Sequence, residues 1–492
     1  MFHNLLSRLS QRASRTVRQK RRLPGSQKGT RLFVEQLETR ALMTAMPTAY
    51  LQTNLISDQT GVAAITDPNL VNAWGLAIPP TGGNFWIADN HSNVASVYGG
   101  NVAGSTLMKN LGDVSIPGDG PTGEVFNSTS DFAVSDSSGH SGPATFIFVT
   151  EDGTISGWNG GVGASSGTST TAEVGTTVVD AIYKGAALGN NGSQNLLYAA
   201  NFHSGHVDVF DTHFAAKTLS GNFTDPKLPT GYAPFNIVNI GGTLYVTFAQ
   251  QDADKMDEVD GNGKGFVDKF DMNGKFLGRF ATRGELNAPW GVVKAPANFG
   301  QFGGDILVGN FGNGHINAFT TKGHFAGTLR DESGKPVAID GLWSLAFGNG
   351  VTAGDSNALY FTAGPADEAH GLFGKLTAAT DLSHQTDLGG VHLTVRDTQN
   401  NHYVGTLELK NNGKSTISGP IMIVFDRWPT GATLNNATGV TAAGKPYITL
   451  TTTMIAKHKS LKITVDFNVT KHDLGKALDA LTDGRVVQGQ FG

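Results

Sequence analysis

The chain repeats itself six times at a period of about 50 residues. The clearest piece of each copy is a glycine, then alternating apolar residues, then an aromatic. It reads Gly205-His206-Val207-Asp208-Val209-Phe210 and Gly314-His315-Ile316-Asn317-Ala318-Phe319. It recurs as Gly265–Phe270 and Gly153–Trp158, and more weakly as Asn93–Tyr98 and Gly371–Leu376. Alternation with period two marks a strand. Self-similarity at this period restricts the chain to stacked or circular repeat architectures.

Other strands flank this one in every copy. About five residues upstream lies Trp86-Ile87-Ala88-Asp89, with counterparts at Phe148–Glu151, Tyr198–Asn201, Tyr245–Phe248, Leu307–Asn310 and Tyr360–Ala363. Further upstream stand Trp74–Ile78, Trp290–Lys294 and Trp343–Phe347, with looser copies starting near Asp131, Asp180 and Phe235. A polar fourth strand follows the aromatic, as in Phe276–Phe280 and Phe325–Leu329. Four short strands with glycine-rich turns make one propeller blade. The expected fold class is therefore all-β: a six-bladed β-propeller over residues 50–380, followed by a small β-sandwich domain. The sixth copy lacks its own fourth strand, and Tyr50–Ile56 precedes the first copy alone. That strand is expected to close the ring on the sixth blade and hide its edge; an open array of hairpins is the alternative.

From about Gly389 the pattern changes. Val391–Val395, Tyr403–Leu409, Ile421–Phe425, Tyr447–Leu450 and Leu461–Phe467 read as strands, with turns at Asn411-Asn412-Gly413 and Pro429-Thr430-Gly431. Residues 389–470 resemble the small Ig-like sandwiches that end many bacterial surface proteins, without the Cys-Trp-Cys hallmark of antibody domains. They are expected to fold alone, with few contacts to the ring. The tail, 471–492, is expected to hold a short helix.

Residues 1–45 form a basic leader. The first 40 carry ten Lys/Arg and two Asp/Glu, hence +8; the formal −5 overall leaves −13 for the remainder. A basic leader points to targeting or to nucleic acid. No basic patch continues into the body, so targeting is the expectation, with no nucleic-acid partner. No stretch is long and apolar enough for a transmembrane span. Cysteine is absent, which excludes disulfides, thiolate chemistry and Cys-based metal sites. Arg31–Met43 resembles the LEPR-XLL leader motif of exported planctomycete proteins, departing from it at Thr39 and Met43. That resemblance implies a secreted or cell-envelope location.

The blades resemble NHL-type propellers. Asn72–Leu76, Gln251–Lys255, Ala297–Asp305 and Asp340–Trp343 look like an uncharacterised family of exported bacterial propellers. That resemblance implies the fold and carries no reaction.

The candidate chemistry lies at the ends of the second strands: Asp89, Glu151, Asn201, Phe248, Asn310 and Ala363. If these positions face one axis, Asp89, Glu151, Asn201 and Asn310 form an oxygen set suited to Ca²⁺. This set is similar to the mix of acidic and Asn ligands that lactonase-like six-bladed propellers use around one axial metal. The other reading is that these side chains cap turns. A register slip of one residue would turn the set away. A second acidic run, Asp252 to Asp260, leads into Asp260–Asp271, a loose calcium-loop pattern with Lys264 at a ligand position. His91, His203 and His315 sit in loops without zinc-ligand spacing. No G-x-S-x-G elbow or phosphate loop occurs. The Trp74, Trp290 and Trp343 series reads as packing between blades rather than as a sugar platform. Two function classes remain: noncatalytic binding of a protein, glycan, envelope component or small-molecule ligand, and a metal-dependent hydrolase of the lactonase-like propeller type using an axial cation.

Overall fold

The computed structural model describes residues 48–164, 167–451 and 454–489. The leader, 1–45, lies outside the described residues, as does the LEPR-XLL-like stretch.

The repeats form successive antiparallel sheets. The first contains Ala73–Ala77, Phe85–Asp89, Val94–Gly99 and Met108–Ser115 in that order. The second contains Pro121–Phe126, Phe146–Thr150, Thr154–Trp158 and Glu173–Thr177. The third has Tyr183–Asn190, Asn195–Asn201 and His206–Phe210. The fourth has Tyr232–Ile240, Thr243–Gln250, Phe266–Phe270 and Phe276–Thr282. The fifth has Pro289–Lys294, Ile306–Asn310, Ile316–Phe319 and Phe325–Thr328. The sixth has Leu342–Phe347, Ala358–Ala363 and Leu372–Asp381, with Thr48–Ser57 paired antiparallel to Leu372–Asp381.

The inner strands of successive sheets touch in sequence order, and the last touches the first. Side chains stitch them together. Thr122 Oγ1 donates to the Tyr183 carbonyl (2.6 Å), Asn236 Nδ2 to the Trp290 carbonyl (2.9 Å), and Thr362 Oγ1 to the Trp74 carbonyl (2.5 Å). The approach is close enough to demand glycine. A Cβ on Gly123 would lie 2.6 Å from the Ala186 amide nitrogen. At the turn before the third strand, Gly153, Gly205 and Gly314 adopt positive φ, and Asn93 takes the same conformation in the first sheet. This explains the glycine of the second, third and fifth copies. Gly265 and Gly371 are instead fixed by close approach, since a Cβ on Gly265 would lie 2.5 Å from Pro289 and one on Gly371 would clash with the Leu70 carbonyl oxygen. The apolar alternation fills the spaces between sheets, as where Trp86 of the first stacks on Phe146 of the second at 4.1 Å. The fold is thus nearly all β and of the propeller type.

Two details differ from the sequence expectation. The inner strand of the second repeat is Pro121–Phe126, not the region near Asp131, because the hairpin Ala133–Ser135/Ser141–Pro143 is inserted after it. The third sheet shows no fourth strand among the described residues; a single antiparallel bridge, Phe210↔Ala216, stands in its place, flanked by Lys217 N to the Val209 carbonyl and Asp211 N to the Ala215 carbonyl.

The C-terminal region has two β layers that share one core. One layer holds Thr386–Leu388, His392–Asp397, His402–Asn411, Ser460–Asn468 and Thr433–Leu434. The other holds Arg485–Gln488, Ile421–Val424, Pro446–Leu450 and Gly439–Val440. Leu407, Leu409, Ile421, Ile423, Phe425, Val465, Phe467 and Val486 are buried together between them. Helix Leu474–Thr482 adds Ala477 and Leu481 to this core. The tail is therefore built in, since Arg485–Gln488 is a strand of the second layer.

The expectation of few contacts with the ring needs correction. Leu372–Asp381 outruns the sixth sheet and pairs with Arg485–Gln488 through Thr380↔Gln488 and Asp381↔Val487. Arg485 donates to Asp381 at 2.6 Å, and Ala49, Leu51, Ala379, Met422 and Val487 form a common apolar cluster. One strand is shared, so the two parts are hydrogen-bonded edge to edge.

Candidate functional site

The backbone register decides which side chains meet the axis. Toward the end of each second strand, the residue beside the inner strand's irregularity is paired as Asp89↔Ala73, Thr150↔Pro121, Asn201↔Tyr183, Phe248↔Pro234, Asn310↔Pro289 and Ala363↔Leu342; the fourth sheet's second strand runs two residues further, to Gln250. In the second sheet that position belongs to Thr150. The sequence alignment had placed Glu151 there, one residue too far along. Side chains alternate, so one residue exchanges the faces.

The four expected metal ligands are accordingly not brought together. Ser96 Oγ donates to Asp89 Oδ2 at 2.6 Å, within the first sheet. Asn201 Nδ2 donates to Asp208 Oδ2 (2.9 Å), and Asn201 Oδ1 caps the following turn by accepting from Ser204 N (3.1 Å). Asn310 Nδ2 donates to the Glu285 carbonyl (2.7 Å) and to Asn313 Oδ1 (3.1 Å). Of the four, Glu151 alone joins the cluster described below. Among the described residues, no three His, Asp or Glu side chains are grouped to hold a metal ion. The calcium-loop pattern also separates: Gly261 N donates to Asn287 at one end of strand Phe266–Phe270, while Asp271 caps the turn at Asn273 and Lys275 beyond the other.

Every inner strand carries a register irregularity just after its paired residue. A bulge re-aims side chains. The residues there are Trp74, Thr122, Lys184, Phe235, Trp290 and Trp343. Four aromatics of this set pack with Phe202 and Phe311 into one buried plug. Trp74 and Trp343 stack at 3.5 Å, Phe311 stacks on Trp343 at 4.1 Å, and Trp290 meets Trp343 edge-on at 6.0 Å. The tryptophan series is packing, as the sequence suggested.

Lys184 is the exception, and sequence reasoning passed over it. Its side chain is 2% exposed. The ammonium is paired with Glu151 of the second sheet and with Asp257 of the fourth repeat, the latter at 3.0 Å. It lies 5.2 Å from the ring centroid of Trp74 of the first. Trp290 Nε1 of the fifth donates to the Lys184 carbonyl at 2.9 Å. Burial alone would lower the ammonium pKa, but Glu151, Asp257 and Glu258 offset it and hold the group charged.

Around this ion pair runs a polar chain. Asn90 Nδ2 donates to Glu151 Oε2 (3.0 Å), Asn72 Nδ2 donates to Glu368 Oε2 (2.6 Å), and Trp343 Nε1 donates to Asn72 Oδ1 (2.9 Å). Ala366, Asp367 and Glu368 all adopt positive φ, a conformation that costs non-glycine residues energy and presents Glu368 to Asn72. Burial pushes the Glu258 carboxyl up to about 7, partly countered by Lys184. Burial likewise raises Glu368, with Lys184 acting against the shift and Glu151 adding to it. The cluster is short of positive charge. It opens into a cavity of about 700 Å³ edged by Asn90, His91, Asp119, Glu151, Asp152, Asp257, Asp367 and Glu368. The acidic run after Asp252 thus contributes Asp257 to the mouth and Glu258 beside it.

A different acid lies deeper. Glu124 is buried, and neither carboxylate oxygen has a hydrogen-bond partner. Burial, then the charge of Asp89, raises its pKa well above the usual value. Leu76, Val292 and Leu345 occupy its register position in other sheets. A carboxyl with a raised folded pKa binds its proton more tightly when folded, so stability falls as pH rises toward that value. Glu124→Leu is expected to stabilise the protein by about 1–3 kcal/mol at pH 8 and by less at pH 5. Denaturant unfolding at the two pH values checks this; equal gains at both would contradict it.

No family model matches the sequence. The chain is 34% identical over 330 residues to the uncharacterised protein R648 of Acanthamoeba polyphaga mimivirus, covering 65% of this chain and 78% of that one. It is 33% identical over 332 residues to the uncharacterised protein L690 of the same virus, covering 65% and 84%. These relatives are viral, whereas the sequence resemblance pointed to bacterial exported propellers. Among solved structures, the calcium-binding protein regucalcin of Agrobacterium tumefaciens has a TM-score of 0.38 at 12% identity, over 63% of this chain and 90% of that one. Virginiamycin B lyase of Staphylococcus aureus has a TM-score of 0.34 at 12% identity, over 67% and 99%. Identity of a third over most of their length places the chain in one family with the mimivirus proteins R648 and L690.

Proposed function

We propose that this chain is a noncatalytic binding protein whose acidic mouth receives the cationic groups of a partner or small ligand. We read the repeat region as a closed six-bladed ring and the C-terminal layers as an Ig-like sandwich. The observation that carries the functional reading is charge. Carboxylates surround a cavity of molecular size, and Lys184, the one cation paired within them among the described residues, is already engaged. Mouth carboxylates spread over several loops suit a ligand with separated positive charges, such as a polyamine or a lysine-rich peptide. The basic leader and its LEPR-XLL resemblance support an exported or envelope location. Described residues include no helix long and apolar enough to cross a membrane.

Calorimetric titration with spermidine and a lysine-rich peptide tests the reading. Binding should weaken at least tenfold between low and high salt, and Asp367→Asn with Asp257→Asn should remove most of it. No binding at millimolar ligand, or binding indifferent to both substitutions, would end the proposal.

A further inference from the structure

A second cavity lies on the other side of the aromatic plug. Its volume is about 570 Å³, within the range of small-molecule pockets, and the later halves of the inner strands of all six sheets line it. Along the first inner strand, Asn72 joins the mouth network, Trp74 the plug and Leu76 this cavity. At the level of Leu76 the other sheets place Glu124, Ala186, Ile237, Val292 and Leu345. All of these are apolar except Glu124. That acid is 8% exposed, and neither of its carboxylate oxygens has a hydrogen-bond partner among the described residues. We propose that this cavity is a binding site for a primary amine with a slim apolar body, its ammonium held by Glu124.

An unpaired carboxylate among apolar side chains is costly, and the cost falls when a donor of opposite charge meets it. An ammonium carries three N–H donors and no acceptor, so one ammonium can serve both orphaned oxygens. The lining itself offers little competition. Asn236, which also lines the cavity, engages its amide with the Trp290 carbonyl at 2.9 Å, and Lys294 at the rim is exposed. Asp89 of the first sheet adds its negative charge to the surroundings of Glu124, which favours a cation over a neutral donor. Leu188, Val238, Val293 and Phe347 extend the apolar wall and are only half-buried, so an alkyl or aryl chain would cover them. An acid retained where leucine would be more stable marks a functional position. The site is separate from the acidic mouth and does not rest on what the mouth binds.

The test is calorimetric titration of the full chain at pH 7 with n-hexylamine, and with 1-hexanol as the uncharged probe of the same length. Hexylamine should bind about tenfold more tightly than hexanol or better, the margin expected of a contact to a charged group. Glu124→Gln keeps the shape and removes the charge. It should lose about tenfold or more in affinity for the amine and little for the alcohol. Glu124→Leu, which should fold at least as stably as the wild type, should show no preference for the amine. Asp257→Asn with Asp367→Asn should bind hexylamine as the wild type does, which separates this site from the mouth. No binding at millimolar hexylamine overturns the proposal, and so does equal affinity for amine and alcohol. An amine preference that survives Glu124→Leu, or that disappears with the mouth substitutions, overturns it as well.

Discussion

Trp343→Ala is expected to destabilise the protein by about 3–5 kcal/mol. The indole is fully buried and touches three parts of the ring at once. It stacks on Trp74 at 3.5 Å and on Phe311 at 4.1 Å, and its Nε1 donates to Asn72 at 2.9 Å. Asn72 in turn donates to Glu368. Truncation therefore opens a cavity in the plug and releases the anchor of a strained loop. Denaturant unfolding gives the cost, and hydrogen exchange should show Ala366–Glu368 losing protection first. Trp86→Ala, buried between the first two sheets, is the control: it should cost a comparable amount and leave the 366–368 loop protected. A Trp343→Ala cost below about 1 kcal/mol would mean that the plug does not hold the ring together.

Lys184→Ala is expected to cost about 3 kcal/mol in the absence of divalent ions, the lower end of the range for breaking a buried pair. Water reaches the partners, since Asp257 is 71% and Glu151 30% exposed, which moderates the penalty. The sign with pH is fixed by the carboxyls left behind. Burial already pushes Glu258 up to about 7 and raises Glu368. Without the ammonium both rise further, so the variant's stability should fall more steeply than the wild type's between pH 5 and pH 8. Lys184→Arg keeps the charge and should recover part of the loss. A loss that does not depend on pH would show that the side chain matters for packing alone.

The repeat made the sheets legible from sequence, because period-two alternation and the glycine before most of the third strands report local geometry directly. The antiparallel pairing of the first strand with the sixth copy was legible for the same reason: Tyr50–Ile56 had no partner nearby, and the last copy lacked a strand. Register was not. Phe148–Glu151 and Trp86–Asp89 align equally well by eye, yet the strand ends at Thr150, and Glu151 turns to the axis while Asp89, Asn201 and Asn310 turn into their own sheets. The missed residue was Lys184, because a lysine in a strand is ordinarily solvated. Its signal was positional. Lys184-Gly185 stands where Trp74-Gly75 and Trp290-Gly291 stand, and a charged residue in an aromatic series calls for a counter-charge. The acidic run after Asp252 was seen, but its partner was not, since 73 residues separate Lys184 from Asp257. The shared strand between ring and C-terminal layers was hidden too: Leu372–Asp381 continues past the repeat motif without a break in pattern.

The pairing of Lys184 with Glu151 of the neighbouring sheet is the claim on which the site depends. A double-mutant cycle of Lys184→Ala and Glu151→Gln, followed by denaturant unfolding in chelator at pH 7.5, measures it directly. The account predicts a coupling of at least about 1.5 kcal/mol, with Glu151→Gln costing little once the lysine is absent. A coupling indistinguishable from zero would contradict it.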